Sequence, residues 1–294
     1  MAKREKRRVA HSVERDERRA HSVERIGTDK LSAKRYPLNA KESDFIKFLG
    51  TAGARFVMIK QLRASGGIWV SYRGTNVLID PGPGSIVRCA KSLPRLDPSK
   101  LDGIILTHRH LDHSNDINIM IEAMTEGGFK KRGVVFLPSD AIAEHPVISN
   151  HAINFPQKIE LLEEYKRYNI GELEFSASMK HLHSAETYGL KFNMNKTSVS
   201  LLSDTRYFDA LTEFYKTDIL IICVTFYEPH PDIDHLCLSE AREIIRKINP
   251  KKAILTHFGM SMLKSKPHIQ AQELTKQLGI EVVAAHDGMV VDIT

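Results

Sequence analysis

Within the nine residues Leu106-Thr107-His108-Arg109-His110-Leu111-Asp112-His113-Ser114 the chain presents three histidines and one carboxylate. Imidazole nitrogens and carboxylate oxygens are the donors that divalent metals of intermediate softness take up. In an extended segment residues two apart project to the same side, so His108 and His110 can face one ion, while Asp112 and His113 fall where the chain turns into a helix. A single tetrahedral catalytic ion needs only about three protein ligands and a water, so four candidates this close together point to a pair of ions sharing further ligands from elsewhere. Solvated loop histidines would explain any one of these residues; they explain poorly four together straight after an apolar strand. Other residues of the same chemistry are Asp80 in VLIDPGPG, His181 and His183 in HLHSAETYGLKF, Asp204 in LLSDT, His235 in DHLCLSEA and His257 in AILTHFG. Taken singly, each has a plainer reading: Asp80 as a turn residue beside Pro81-Gly82, Asp204 as a cap before Tyr207, His235 as a helix-capping loop residue and His257 as a strand-end histidine.

The elements that must position these groups are legible around them. FIKFLGTAG reads as a strand entering a glycine turn. GIWVSYRGTNVLIDPG reads as a hairpin turning near Arg73-Gly74-Thr75-Asn76, and LDGIILTH as a short buried strand. Ser114-Asn115-Asp116 offers a helix N-cap for DINIMIEAMTEGG, which stops at paired glycines. GELEFSAS, YGLKFNM, TSVSLLSDT and DILIICVTF read as strands, SEAREIIRKINP as a helix ended by Asn-Pro, KKAILTH as another buried strand and IQAQELTKQLG as a helix, before EVVAAHDGMVVDI closes the chain. Strands cluster early and in the middle with helices interleaved, a pattern that suits an α/β sandwich of two helix-covered sheets better than a regular βαβ alternation. No nucleotide-binding Gly-x-Gly-x-x-Gly or Walker motif occurs; Gly50, Gly53, Gly66 and Gly67 read as turn glycines.

A chain of 294 residues with 42% apolar residues is long enough for a packed core. No apolar run reaches the ~18 residues of a membrane span, and the charged first thirty residues lack the apolar stretch of a secretory signal, so a cytoplasmic protein without membrane partners is expected. Cys89, Cys223 and Cys237 form no C-x-x-C pair, which leaves them as buried thiols rather than a disulfide framework or zinc finger. The net charge of +6 is uneven: residues 1–41 hold 13 Lys/Arg and 6 Asp/Glu, which leaves 29 and 30 for the rest, a net of −1. The basic character belongs to an extension over residues 1–42, in which AHSVER occurs twice, and the catalytic domain is expected over 43–294. Such a charge-rich, aromatic-poor segment buries too little to order itself, so a disordered or loosely helical arm is expected. It could reach a nucleic acid, although an unstructured extension, or residues upstream of the natural start, is the plainer reading.

The spacing His108-x-His110-x-Asp112-His113 after a hydrophobic strand resembles the signature of the metallo-β-lactamase-fold hydrolases. His183, six residues before Gly189, resembles that family's next metal histidine; Asp204 resembles its bridging carboxylate, His257 its last ligand, and Asp80 the strand-end aspartate that supports the site from behind. The resemblance spans roughly residues 43–294 and implies a four-layer αββα sandwich. It implies His108, His110 and His183 around one ion and Asp112, His113 and His257 around the second, with Asp204 and a water or hydroxide between them. His181 competes with His183, since both would face the same side of a strand; the distance to Gly189 favours His183. Two divalent ions are implied, zinc first, with manganese or iron(II) also suited to the donors. Such a pair activates water for hydrolysis. Flavo-di-iron relatives carry a glutamate at the position of His110, which argues against redox chemistry.

The segment Asp234-His235-Leu236-Cys237-Leu238-Ser239-Glu240-Ala241 resembles the phosphodiesterase branch of that family, which includes tRNA 3′-processing nucleases of the RNase Z type and small cyclic phosphodiesterases. By that resemblance Asp112 and His235 bear directly on the reaction, His235 as proton donor to the leaving alkoxide or as stabiliser of the charged transition state. The chain departs from the tRNA nucleases in two respects. Only twenty residues separate His183 from Asp204, too few for a tRNA-gripping arm, and Asp80-Pro81-Gly82-Pro83-Gly84 replaces their Asp-Cys-Gly-Glu-Gly-Thr loop. A small or cyclic phosphodiester is therefore the expected substrate. A carboxyl-ester, thioester or lactam hydrolase, an RNase Z-like nuclease and a non-catalytic, metal-stabilised nucleic-acid-binding protein stand as alternatives, and a homodimer is left open.

Overall fold

The computed structural model describes residues 44–53 and 55–293; the basic extension expected over 1–42 lies outside the described residues. The first half runs β1 (Phe45–Phe48), α1 (Phe56–Ile59), β2 (Ile68–Tyr72), β3 (Thr75–Ile79), α2 (Ser85–Lys91), β4 (Gly103–Ile105), α3 (Leu111–Ser114), α4 (Ile117–Met124), β5 (Arg132–Leu137) and β6 (Pro156–Leu161). The second runs β7 (Arg167–Ile170), β8 (Leu173–Lys180), β9 (Tyr188–Met194), β10 (Thr197–Leu202), α5 (Leu211–Phe214), β11 (Ile219–Cys223), α6 (Leu238–Ile248), β12 (Lys252–Thr256), α7 (Met260–Lys264), α8 (Pro267–Leu278), β13 (Glu281–Ala284) and β14 (Val290–Asp292).

These strands form two seven-stranded sheets, ordered β14-β1-β2-β3-β4-β5-β6 and β13-β12-β11-β10-β9-β8-β7. From β14 in the first and from β7 in the second, three antiparallel pairings are followed by three parallel ones. The parallel strands β4, β11 and β12 read GII, ILIIC and KAILT and are buried over most of their length, as strands covered on both faces must be. Phe48, Val70, Ile105, Phe136, Phe175, Leu190, Leu201 and Ile254 meet between the sheets. The outer face of the first sheet packs Trp69, Leu78 and Ile104 against Met120 and Ile121 of α4. The outer face of the second packs Leu220, Ile222 and Leu255 against α6 and α8. The result is the expected four-layer αββα sandwich.

Local sequence explains most of these elements. In the β2–β3 hairpin Tyr72 pairs with Thr75, so the turn is only Arg73-Gly74, both at positive φ (47° and 81°); Thr75 and Asn76, expected in the turn, belong to β3. A two-residue turn with both residues left-handed matches the twist of the strands it joins. Helix α6 buries Ala241, Ile244, Ile245 and Ile248 on one stripe, and each isoleucine contributes about 1.5–3 kcal/mol by leaving water. It starts in a capping box in which the Cys237 amide donates to the Glu240 carboxylate at 2.8 Å and stops at Asn249, left-handed before Pro250. Asp116 stands at the start of α4 as expected, but its side chain does not cap that helix. Its Oδ2 instead accepts the amides of Gly84 and Ile86 at 3.1 and 3.3 Å, tying the first turn of α2 to α4. The region of β5, β6 and β7, which carries no clear alternation in sequence, completes one edge of each sheet.

Candidate metal centre

The chemistry-bearing residues gather at the carboxyl ends of the parallel strands, where open α/β sheets bind ligands. Asp80 follows β3, His108 follows β4, Asp204 follows β10, Thr225 follows β11 and His257 follows β12. His110 begins α3, whose first turn carries Asp112 and His113; His181 and His183 follow β8. Asp80 and His257 hold left-handed backbone, at φ 52° and 61°, uncommon for residues other than glycine and typical of strand-end groups held for a purpose. Gly53 passes so close that a Cβ there would lie 2.3 Å from the His257 carbonyl oxygen.

Two donor sets form, His108 with His110 and His183, and Asp112 with His113, Asp204 and His257, and a third, overlapping group joins His183, Asp204 and His235; the ligand atoms of each lie within 4.8 Å of one another. Asp204 Oδ2 is 3.7 Å from His108 Nε2 and 3.3 Å from His113 Nε2, so this carboxylate stands between the sets. His110 Nδ1 and His183 Nε2 face each other at 3.1 Å; His113 Nε2 and His257 Nε2 do so at 3.0 Å. Nitrogens bound to one tetrahedral ion at 2.0–2.1 Å would stand roughly 3.3 Å apart. Of the two histidines that competed in the sequence, His183 joins the first set. His181 turns away: its Nδ1 lies 3.0 Å from the Asp204 carbonyl oxygen and its Nε2 2.5 Å from the Tyr215 hydroxyl.

The surrounding hydrogen bonds fix which imidazole nitrogens are bare. Asp80 accepts the Thr107 amide at Oδ1 (2.7 Å) and, at Oδ2, the Thr107 hydroxyl (2.8 Å) and His113 Nδ1 (2.9 Å). With its proton given to Asp80, the Thr107 hydroxyl is the acceptor for His108 Nδ1 at 3.1 Å. The Asp234 carbonyl accepts His183 Nδ1 at 2.9 Å. The Nε2 lone pairs of His108, His113 and His183 are thereby left pointing inward. His108 Nε2 and Asp204 Oδ1 are buried without a hydrogen-bond partner, an arrangement costly for polar atoms unless a cation satisfies them. The donor set therefore fits two divalent ions, and the partners on the outer nitrogens are those that usually orient metal-binding histidines.

The protein's own groups set the protonation of the site. Burial, reinforced by neighbouring imidazoles, lowers His108 well below its ordinary value, lowers His183, and brings His110 to about 4. Burial alone would raise Asp204, but His257 and His235 beside it hold it well below the carboxylate range. Burial likewise opposes charge on His113 and His235; Asp112 and Asp80 nonetheless raise the first, and Asp204 raises the second. Neutral His108, His110 and His183 beside an ionised Asp204 are what a dication requires, whereas a dication bound to His113 would have to displace the proton that Asp112 and Asp80 favour there.

His235 lies at the mouth of the centre. Its Nδ1 is 3.6 Å from Asp204 Oδ2 and 3.3 Å from the Thr225 hydroxyl, and its ring centroid is 5.1 Å from that of His183. Several supporting groups carried no sequence signal. Thr225 Oγ1 also lies 3.0 Å from His257 Nδ1. Arg109 Nε donates to Asp140 (2.8 Å), which also accepts the Glu186 amide (3.1 Å), and this ties the loop bearing His110 to the start of β9. Between His183 and Asp204 the chain forms only β9, the turn at Asn195-Lys196 and β10, so no arm projects there.

Helix-covered twin sheets with histidines and aspartates collected at their strand ends define the metallo-β-lactamase fold. The model of the family described as the beta-lactamase superfamily domain matches residues 75–258, and the chain belongs to that superfamily. An uncharacterised protein of Methanocaldococcus jannaschii is 30% identical over 258 residues, covering 84% of this chain and 94% of that one. Among solved structures, the metallo-β-lactamase-fold protein YhfI from Bacillus subtilis superposes with a TM-score of 0.71 at 20% identity, over 85% of this chain and all of that one. A structure described as a new diphosphatase from the PhnP family gives 0.63 at 21% identity, over 85% and 97%. Membership makes the chain one of a family of metal-dependent hydrolases. No helix among the described residues is long and apolar enough to cross a membrane.

Proposed function

We propose that this chain is a metal-dependent phosphodiesterase in which two divalent ions, zinc in the first instance, share Asp204. One ion is held by His108, His110 and His183, the other by Asp112, His113 and His257. The observation that carries the hydrolytic part is the pair of donor sets meeting at one buried carboxylate. Bound there, the ions supply Lewis acidity, acidifying water and drawing charge from the phosphoryl oxygens. Asp80 keeps the inner nitrogen of His113 bare, and Thr107 does so for His108. The phosphodiester part rests on His235. Its Nδ1 is occupied by Asp204 and Thr225, which leaves Nε2, on the far side of the ring, to hold a proton for the departing alkoxide. The neighbour described as a diphosphatase supports phosphoryl chemistry.

The test is hydrolysis of bis-p-nitrophenyl phosphate beside thioester and lactam substrates. Asp112→Ala should abolish turnover with loss of metal; His235→Ala should keep two ions per chain while kcat falls ~10²–10⁴-fold. Loss of a metal ion in His235→Ala would make His235 a ligand, since it also groups with His183 and Asp204. Turnover of thioesters or lactams without phosphodiester cleavage would refute the proposal.

A further inference from the structure

We infer that the cavity beside His235 receives the leaving half of the substrate, and that this half is a nucleotide, carrying a planar base and a second anionic phosphate. The inference rests on the phosphodiesterase reading: if His235 protonates the departing oxygen, whatever is attached to that oxygen must lie in the space His235 lines. That space is a cavity of about 730 Å³ bordered by His235 and Thr225 on the metal side, within the roughly 300–1,000 Å³ of small-molecule sites. Its walls are mainly apolar, from Phe56, Phe226, Ile233 and Met260, with Arg55 and Lys264 as cations and Glu228 as an acid. Phe226 lies with its ring 5.2 Å from His230, tilted by 31°, and 6.1 Å from His235 in an edge arrangement. Phe56 leaves 59% of its surface exposed, a ring open to a partner rather than spent in the core. Aromatic faces of this kind stack on any base. Among the described residues neither Arg55 nor Lys264 has an ion-pair partner, and a side chain of either type engages phosphate. An alkyl or methyl leaving group would use the apolar walls alone and neither the aromatic faces nor the two cations.

The experiment has a binding arm and a turnover arm. The binding arm titrates adenosine 3′-monophosphate, the leaving product of an adenylate dinucleotide bearing a terminal 3′-phosphate, into the metal-loaded wild type, Phe56→Ser and Lys264→Glu, both surface changes. The nucleotide should bind wild type and lose roughly tenfold or more in affinity in each variant. No binding to wild type, or equal binding to all three, as expected of a phosphate held by the metals alone, overturns the inference. The turnover arm compares that dinucleotide, in which the P–O5′ bond breaks, with the methyl ester of adenosine 3′-monophosphate, which keeps the same retained half and loses methanol. The dinucleotide should show the lower KM, and Lys264→Glu should raise that KM roughly tenfold or more. Equal KM values with both esters cleaved would overturn the inference and leave the phosphodiesterase reading standing; cleavage of neither would overturn that reading, while the binding arm still decides the cavity.

Discussion

Asp80→Asn separates the stability of the site from its affinity for metal. The wild-type carboxylate accepts three donors, the Thr107 amide, the Thr107 hydroxyl and His113 Nδ1, all within 2.9 Å. Asparagine has the same shape and tolerates the left-handed backbone at φ 52°, so no backbone strain is added. Its amide offers one oxygen, and its nitrogen brings protons to a place that had only acceptors. If the oxygen keeps the Thr107 amide, the NH2 group faces Thr107 Oγ1 and His113 Nδ1. The hydroxyl can rotate and accept, but the imidazole can accept only by moving its own proton to Nε2, the atom 3.0 Å from His257 Nε2. Losing the hydrogen bonds to a charged group costs about 1.5–3 kcal/mol of stability. Metal affinity in the set containing His113 should fall ~10–100-fold, the usual effect of removing an outer partner of a metal-binding histidine. Guanidinium unfolding of metal-free protein measures the first quantity, and competition with a chromophoric chelator the second. An Asn variant that keeps two ions at wild-type affinity would refute the tautomer argument.

Three further outcomes follow from the structure. Gly189→Ala would put a Cβ 1.8 Å from the Tyr215 hydroxyl and 2.8 Å from the Leu201 carbonyl oxygen; overpacking of this kind costs roughly 1–3 kcal/mol or more, read by denaturation, and Tyr215→Phe in the same chain should recover part of it. Burial holds His181 at about 4, so the native state keeps it neutral while the unfolded chain takes up a proton below its ordinary value of ~6.5. Stability from this residue is therefore complete above that value and is lost as pH falls from about 6.5 to 4, by roughly 3 kcal/mol in all; His181→Gln should flatten the pH dependence of unfolding there by about one proton, and coincident slopes would contradict a neutral His181. Finally, Asp140→Ala should release Arg109 and the loop carrying His110, raising the dissociation constant of the His108, His110 and His183 set ahead of that of the other; metal titration showing both unchanged would remove Arg109 from the account.

The motif from His108 to His113 is legible because its spacing alone brings four donors to one strand end and the helix turn after it. His183, Asp204 and His257 are legible only through their order along the chain, since what joins them is the pairing of β8 through β12. The choice of His183 over His181 follows from the bend after β8, which sends one ring toward His110 and the other to Tyr215, thirty-four residues away in sequence. Thr107, Thr225 and the Asp140–Glu186 pair carry no local pattern, because each acts through a partner distant along the chain. Asp116 shows the opposite failure. Its local cap signal is strong, but two amides at the start of α2 compete for the carboxylate and hold it. The weakly patterned strands β6 and β7 owe their form to pairing with β5 and β8 rather than to their own alternation.

Anomalous diffraction from crystals of the zinc-loaded protein tests the central claim most directly. Two peaks roughly 3.5–4 Å apart, one against His108, His110 and His183, the other against Asp112, His113 and His257, with Asp204 reaching both, are expected. A single peak, or metal bound away from Asp204, would contradict a dinuclear centre.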